Sequence, residues 1–381
     1  MTKYDLYDGT VGLRPVADSD VDFLWKNDCE PVAYNRTNLC PRSFIAKQME
    51  KGGFWDDKTK LFIVEIERDG AAVPIGDIGV HFRDVTGECE VGTKISAAYR
   101  GTGAGTRAKM LLVDYLFRAF RIERVSASTH VENAPAIRSL EKCGFKREGI
   151  ARNIRFIHGK YCDFYNYGMT RSDYRAAKRD WKLYGNTDPV EPREVPDSEK
   201  AQTRLVGKLI AIRPTEKEDG IFLSNLWSQP YPYLDHEICT LDDYNKWYDE
   251  GDFWGDTNHT FVIETLDGKP LGQVGMWGYD KRNGEAEVGT LLVDVADRGK
   301  GYGTEAKLLA MGHGFDVWPI NRIYAGTSQY NRAARCSLLR AGLRFEAVFS
   351  GVEEGRRPPS GAALYGVSRE EWYGAREVPD A

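Results

Sequence analysis

Arg100-Gly101-Thr102-Gly103-Ala104-Gly105 and its second copy, Arg298-Gly299-Lys300-Gly301-Tyr302-Gly303, are the stretches from which the fold is read. Each follows a strand-like run (91–95; 288–293) and opens a helix-like run (106–120; 304–317). A glycine-rich turn between strand and helix suits a phosphate. Without Cβ atoms the backbone reaches φ > 0 and approaches the ligand closely. The unpaired N–H groups of the first helical turn then point at the anion, helped by the positive end of the helix dipole. The dipole supplies only about 0.3–1 kcal/mol, so direct N–H bonds and the rest of the ligand must supply most of the affinity. Two loops imply two phosphate-bearing ligands, or one site and a relic.

The loops belong to a duplication of a whole domain. Arg100 and Arg298 are 198 residues apart, as are Asn133 and Asn331, Gly144 and Gly342, and Tyr167 and Tyr365. Arg14-Pro15 and Phe54-Trp55 recur as Arg213-Pro214 and Phe253-Trp254 at an offset of 199. A repeat unit of that length is a domain rather than a solenoid module. Residues 182–204 hold three prolines and many charges without apolar periodicity, which reads as a linker. The expected organisation is a domain over 1–180, a linker over 181–204 and a second domain over 205–381.

With 381 residues and 41% hydrophobic content, each half can bury its own core. No apolar run approaches the roughly 20 residues of a membrane span, and the first twelve residues lack signal-peptide character. The seven cysteines are odd in number and contain no CxxC pair, which suits a reducing cytoplasm and predicts no structural metal. A net charge of −5 argues against a general nucleic-acid binder.

The first half reads as strand, two helices, three strands, helix, strand, helix, strand. The strands fall at 12–14, 61–67, 73–82, 88–95, 124–128 and 164–170, with polar turns at Arg68-Asp69-Gly70 and Thr86-Gly87. Helices fall at 19–25, capped by Asp18 or Ser19, at 41–51 and at 133–143. The helix after the loop carries Ala108, Leu111, Leu112, Tyr115, Leu116 and Ala119 on one face. Gly312 and Gly314 weaken its second copy by about 1 kcal/mol each relative to Ala.

This ordered set resembles the GNAT superfamily of acyl-CoA-dependent N-acyltransferases. The motif Arg-x-x-Gly-x-Gly, then Asn-x-x-Ala, then Gly-Phe reads Arg100, Gly103, Gly105, Asn133, Ala136, Gly144-Phe145, and again Arg298, Gly301, Gly303, Asn331, Ala334, Gly342-Leu343. Leu13-Arg14-Pro15, Ile75-Gly76, Glu90-Val91-Gly92 and Tyr167-Gly168-Met169-Thr170 are similar to the subgroup of ribosomal-protein N-terminal and antibiotic acetyltransferases. The resemblance implies an α/β fold in layers: two tandem domains, each a mixed, mostly antiparallel sheet flanked by helices, with a splayed strand pair holding CoA.

It also implies a division of labour. Acetyl-CoA, or another acyl-CoA, is the co-substrate. Its diphosphate would lie on Arg100, Gly101, Gly103, Ala104, Gly105 and Thr106, and on Arg298, Gly299, Gly301, Tyr302, Gly303 and Thr304. The strands containing Val91 and Thr93, and Val288 and Thr290, would bond the pantetheine arm through their backbone. Asn133 and Asn331 would contact the pantetheine side, or cap a helix, or both. The acceptor is a small-molecule amine or a peptide N-terminus, in a monomer with an internal pseudo-twofold or in a dimer. The second class of reading is a half that holds acyl-CoA without turnover.

A competing reading is the dinucleotide fingerprint, met by Gly103-x-Gly105-x-x-Ala108 and Gly301-x-Gly303-x-x-Ala306. It requires the loop to end the first strand of its unit and an acidic residue to end the next. Here several strands precede the loop, and Glu123 precedes the following strand instead of ending it.

An amine attacks a thioester only when neutral, a fraction of about 10⁻³ to 10⁻⁴ at neutral pH. A positioned base contributes typically about 10²–10⁴-fold. Glu90 and Glu287 are the candidates, each with a carboxylate two positions earlier, Glu88 and Glu285, on the same strand face. Such a pair can raise one pKa, bind a cationic acceptor, or be an ion-paired strand face. Many family members carry a Tyr where this chain has Leu140 and Leu338, so the acid for the leaving thiolate is unassigned; His130 is a candidate or a structural residue. Direct attack in a ternary complex is expected. Acceptor specificity is expected from Asn27, Asp28, Cys29, Glu30 and Tyr34 in the first half, and from Trp227, Tyr231, Tyr233, Asp235, His236 and Glu237 in the second.

Overall fold

The computed structural model describes residues 6–34, 39–83, 87–181, 183–185, 188–230, 238–292, 295–349 and 362–375. Contacts divide the chain into two compact units. One takes residues up to 202 without 39–41 and 158–160; the other takes those two pieces and everything from 203 on.

The first unit runs β1 (Leu6–Tyr7), β2 (Val11–Pro15), α1 (Val21–Asp28), α2 (Arg42–Glu50), β3 (Thr59–Arg68), β4 (Ala71–Phe82), β5 (Glu88–Ile95), α3 (Ala104–Ala119), β6 (Arg124–His130), α4 (Ala134–Lys142), β7 (Lys146–Ile157), β8 (Lys160–Thr170) and α5 (Arg171–Ala177). The second runs β9 (Leu205–Val206), β10 (Ile210–Pro214), α6 (Gly220–Trp227), α7 (Leu241–Glu250), β11 (His259–Thr265), β12 (Pro270–Asp280), β13 (Glu285–Leu292), α8 (Tyr302–Val317), β14 (Arg322–Ser328), α9 (Arg332–Arg340), β15 (Arg344–Phe349), β16 (Ala362–Ser368) and α10 (Arg369–Gly374). Each sheet has eight strands, ordered β1-β2-β3-β4-β5-β6-β8-β7 and β9-β10-β11-β12-β13-β14-β16-β15. Pairing is antiparallel from β1 to β5 and from β9 to β13, but β5–β6 and β13–β14 are parallel.

The core forms where the helix after the glycine loop lies on its sheet. Ala104, Ala108, Leu111, Leu112 and Leu116 of α3 are fully buried against β2, β4 and β5, and Ala306, Ala310, Met311 and Phe315 of α8 repeat the arrangement. Burial on this scale contributes about 25 cal/mol per Å² of apolar surface. The glycines of α8 do not interrupt it, since it spans the same sixteen residues as α3. A Cβ on Gly314 would stand 2.8 Å from Met276 Cε, so that glycine admits the methionine.

Four strands escaped the sequence reading: β1 and β7, and their counterparts β9 and β15. Most of β7 is exposed on both faces, so its residues carry no period-two apolar pattern. The first helix begins later than expected. The chain enters α1 through a 3-10 turn, and Asp20 stands at the N-cap instead of Asp18 or Ser19. Its carboxylate accepts from Arg14 at 2.7 Å and from the Ala17 N–H at 2.8 Å. Asp219, Arg213 and Glu216 repeat this at 2.7 and 2.8 Å, which gives the repeated Arg-Pro a structural purpose.

The described residues from 181 to 202 pack on the first unit, while Arg204 already bonds Glu264 of the second. Leu183 and Val190 join its core, Arg193 N–H donates to Ala98 O at 2.7 Å, and Gln202 N–H donates to Cys29 O at 2.9 Å. A few apolar side chains among charges suffice to dock a segment that has no periodicity of its own.

Gly76 and Gly272 mark where β4 and β12 press on the next strand. A Cβ on Gly76 would meet Lys94 O and stand 2.8 Å from Ile95 Cδ1; one on Gly272 would meet Leu291 O and stand 2.9 Å from Leu292 Cα. Backbone cannot retreat from a ladder without breaking it. Gly272→Ala is therefore expected to destabilise the second unit by about 1–3 kcal/mol, read as a lowered thermal midpoint, with Gly275→Ala limited by the more movable Trp277 ring.

Candidate functional site

The parallel pairing between β5 and β6 covers only Glu88–Glu90 with Arg124–Ser126. Beyond it β5 runs on to Ile95 and β6 to His130, each still paired on its other side. Between them the sheet opens into a wedge, along which residues 91–95 have no neighbouring strand on that side. β13 and β14 repeat the wedge after Glu285–Glu287 pair with Arg322–Tyr324. The glycine loop and the first turn of α3 or α8 close its mouth. Since the loop follows the fifth strand of a mostly antiparallel sheet, the dinucleotide reading fails on topology.

Both loops have the geometry of an anion cradle. Gly101 and Gly103 have φ of 82° and 88°, and Gly299 and Gly301 have 78° and 94°. A Cβ on Gly101, Gly103 or Gly299 would meet nothing within 4 Å, so the loop surface is open, while Gly105 packs inward against Ile95 at 3.0 Å. Among the described residues, no protein acceptor takes the N–H of Gly101, Gly103, Gly105, Gly299, Gly301, Tyr302 or Gly303. The buried hydroxyls of Thr93 and Thr290, on the wedge strands, also have no partner there. Open cradle, free donors and orphaned hydroxyls fit a phosphate-bearing chain lying in the wedge.

Other predicted residues are placed with different purposes. The Arg100 guanidinium is spent on protein acceptors: Ile95 O at 3.0 Å, Glu30 at 2.8 Å, Pro31 O at 3.2 Å and Glu199 at 3.3 Å. It shapes the loop. Arg298 is exposed. Ala104 is buried beneath the loop, Thr106 and Thr304 bond Ser139 and Ser337 at 3.0 and 3.1 Å, and Tyr302 carries the Lys300 ammonium over its ring at 5.8 Å. Val91 and Val288 face the core. Asn133 and Asn331 cap α4 and α9, accepting from Ala136 N–H at 3.2 Å and Ala334 N–H at 3.0 Å; among the described residues their amide groups donate to nothing.

The two glutamates differ. Glu90 is ion-paired with Arg83 at 3.2 Å and accepts from Ser128 at 3.4 Å. Glu287 has no cationic partner among the described residues. Burial pushes its carboxyl above the usual range, and a backbone hydrogen bond from Gly326 pulls the other way. Across the β12–β13 ladder it faces Trp277, whose ring lies over Gly275 and Gly289, and on β14 it faces Tyr324. Glu88 and Glu285 do not tune their neighbours as a carboxylate pair. Each binds an arginine, Arg124 at 3.4 Å and Arg322 at 3.2 Å, which also holds Glu148 or Glu346.

His130 is buried at the end of β6. Its Nδ1 accepts from Glu132 N–H at 3.1 Å, and its ring lies 5.2 Å from Tyr34 and 5.7 Å from Phe164. The second unit has Ser328 at that position. Leu140 and Leu338 are core residues.

Of the acceptor candidates, Asn27, Asp28 and Glu30 form a polar network beside β4 and β5. Asn27 donates to Asp77 at 2.7 Å, Lys94 to Asp28 at 3.1 Å, and Ala97 N–H to Glu30 at 2.7 Å. Burial raises the Asp77 carboxyl to about 7. The second unit replaces Asp77 by Gln273, which accepts from Trp227 Nε1 at 2.6 Å, and the partly buried Trp227 packs against the core rings Tyr244 and Phe253 with the exposed Trp247 beside it. Cys29 is buried. Tyr231, Tyr233, Asp235, His236 and Glu237 lie outside the described residues, as do Thr86 and Val293. Asp77, Trp277 and Tyr324 were missed from sequence, although each lies on a predicted strand near a predicted glutamate.

No cluster of three or more metal-ligating side chains occurs among the described residues, and no described helix is long and apolar enough to cross a membrane.

A family model described as an acetyltransferase (GNAT) domain matches residues 10–146 and again 210–344. The chain is 24% identical over 176 residues to an uncharacterized N-acetyltransferase, p20, of Bacillus licheniformis, covering 44% of this chain and 97% of that one. It is 32% identical over 124 residues to spermidine N(1)-acetyltransferase of Escherichia coli K12, covering 32% of this chain and 65% of that protein, just under two thirds. A solved structure of spermidine N-acetyltransferase from Vibrio cholerae with CoA and spermine aligns at 21% identity and a TM-score of 0.39, over 44% of this chain and 99% of that one.

Proposed function

The chain belongs to the GNAT acetyltransferase family through both of its halves, and on that premise we propose that it transfers an acetyl group from acetyl-CoA to a primary amine. The acceptor is a small molecule or a peptide N-terminus. The observation that carries this is the wedge closed by a glycine loop with free N–H donors, built twice.

The chain's own residues have separable tasks. The loops from Gly101 to Gly105 and from Gly299 to Gly303 hold the donor's diphosphate; the wedge-facing backbone of 91–94 and of the strand from Val288 holds its pantetheine arm. Asn133 and Asn331 cap the adjoining helix with one amide atom and meet the pantetheine side with the other. The bound thioester offers a carbonyl carbon: the neutral amine's nitrogen bonds to it, the C–S bond breaks, and CoA leaves as the thiolate, which takes a proton from water. Glu287 or Glu90 takes the proton that the amine sheds. Desolvation that lifts the Glu287 carboxyl favours proton acceptance nearer neutrality.

A second reading, in which the first half binds acetyl-CoA without turnover, draws support from the Arg83–Glu90 ion pair, which occupies the first half's base. We also propose that separable domains lie at 1–180 and 205–381; the first, expressed alone, is best carried through 202, where its packing ends.

Titration of the purified chain with acetyl-CoA by calorimetry, with NADH alongside and thiol release followed over a panel of amines, tests the reading. Two equivalents with amine-dependent thiol release are expected. Failure to bind acetyl-CoA, or binding of NADH instead, would sink it.

A further inference from the structure

Two lysines sit where a charge is hard to keep. Lys109 of α3 and Lys307 of α8, 198 residues apart, are both more than nine-tenths buried. Lys109 Nζ donates to Ser139 Oγ at 3.0 Å; Lys307 Nζ donates to Ser337 Oγ at 3.1 Å and to Gly303 O at 3.3 Å. Each serine oxygen also lies within 3.0–3.1 Å of Thr106 or Thr304 Oγ1, in the first turn after the glycine loop. Ammonium, serine and threonine thus form one chain of polar atoms, its hydroxyl end half-exposed beside the loop and its ammonium end sealed beneath it.

Among the described residues, no carboxylate compensates either charge. The acids on the same helices are engaged elsewhere: Asp114 by Tyr174, Lys178 and Tyr184, and Glu305 by the N–H groups of Lys208, Leu209 and Ile210. Asp8, beside β1, is taken by Arg107 at 2.5 and 2.7 Å. On α4 the titratable neighbour of Lys109 is Cys143, a thiol that burial pushes up to about 11 and so leaves neutral; Ala341 stands at that position in the second unit. On the wedge strands the nearby polar groups are the unpartnered hydroxyls of Thr93 and Thr290. The ammonium also lies at the positive end of its helix, where a cation is disfavoured. Burial without a counter-ion and an adverse dipole both oppose the charge, yet the arrangement occurs in both halves. An anion seated on the loop would relieve both terms at once.

We propose that Lys109 and Lys307 supply the buried positive charge that holds the donor's diphosphate, each acting in its own half through the Ser139–Thr106 or Ser337–Thr304 hydroxyls. This rests on the loops being the donor site. They are positioning residues, since the hydroxyls and the loop N–H groups stand between them and the ligand. Burial alone lowers Lys307 to about 8, and it lowers Lys109 in the same direction. A bound diphosphate opposes that shift. Above about pH 8 the free second half has lost the Lys307 proton while the complex retains it, so binding there takes up a proton and weakens as pH rises; Lys109 shifts the first half in the same direction.

The test is calorimetric titration of the full chain with CoA and with pantetheine, which lacks the diphosphate, in two buffers of different ionisation enthalpy near pH 8.5. Wild type, Lys109→Met and Lys307→Met are compared, with Ser337→Ala as a variant that keeps the ammonium. Each Lys→Met change is expected to weaken CoA by roughly tenfold or more in its own half, abolish proton uptake there, leave pantetheine unaffected and raise the thermal midpoint. Ser337→Ala is expected to show a partial loss of the same pattern. Unchanged CoA affinity and proton uptake overturn the inference, and so does equal weakening of CoA and pantetheine, which marks a structural role. A wild type that binds no CoA removes the donor-site reading itself.

Discussion

Gly103→Val is expected to remove one equivalent of acetyl-CoA from the titration, and Gly301→Val the other, each leaving the opposite half intact. Both glycines are the N-cap of the helix after the loop and hold φ of 88° and 94°. A β-branched residue is a genuine outlier at such an angle. Relaxing it turns the peptide and withdraws the N–H groups that no described protein atom accepts. Losing two or more charge-assisted bonds, at roughly 1.5–3 kcal/mol each, weakens binding by more than about 100-fold, beyond calorimetric detection for a micromolar ligand. A circular-dichroism melt guards against trivial unfolding, and Gly103→Ala, with open space around its Cβ, should fall between. Two equivalents retained in both valine variants would remove the loops as the binding element.

The loop, the strand before it and the helix after it were legible because each obeys a local rule: glycine where φ is positive, alternation on a half-buried strand, a three-four apolar stripe on a helix. The offset of 198 made the duplication legible without any structure. What was not legible depends on partners distant in sequence. Arg100 carried the expected motif, yet its acceptors include Glu30 and Glu199. Glu90 and Glu287 look equivalent along the chain; Arg83 beside one and Trp277 beside the other separate them. Lys109 and Lys307 left a faint signal, a charge inside an apolar helix face at the repeat offset. β7 left none, because an edge strand with both faces in water needs no pattern.

Glu287→Gln should cut the second half's turnover by about 10²–10⁴-fold while leaving acetyl-CoA affinity near wild type, since the carboxylate lies at the closed end of the wedge, away from the loop proposed to hold the diphosphate. Measured in a Gly103→Val background, the loss belongs to one half. The pH profile gives the sharper signature. The base works only when ionised, and burial raises its pKa above the ordinary carboxylate range, so activity climbs with pH through that raised value. Gln removes this acidic limb. Stability moves the opposite way. A carboxyl whose folded pKa is raised contributes stability below its unfolded pKa and loses it as pH rises through the folded one. Above that raised value the ionised Glu287 is therefore a burden on the fold, and there Gln is expected to raise the second unit's thermal midpoint. A variant that is more stable, binds its donor normally and turns over slowly places the residue in the chemistry. A full-rate variant with an unshifted profile returns Glu287 to an ordinary strand position. Glu90→Gln, in a Gly301→Val background, should cost less. Its carboxylate is already committed to Arg83 in a half-exposed pair worth at most about 1 kcal/mol. If it costs as much, Arg83 releases the carboxylate when the acceptor binds, and both halves are working transferases.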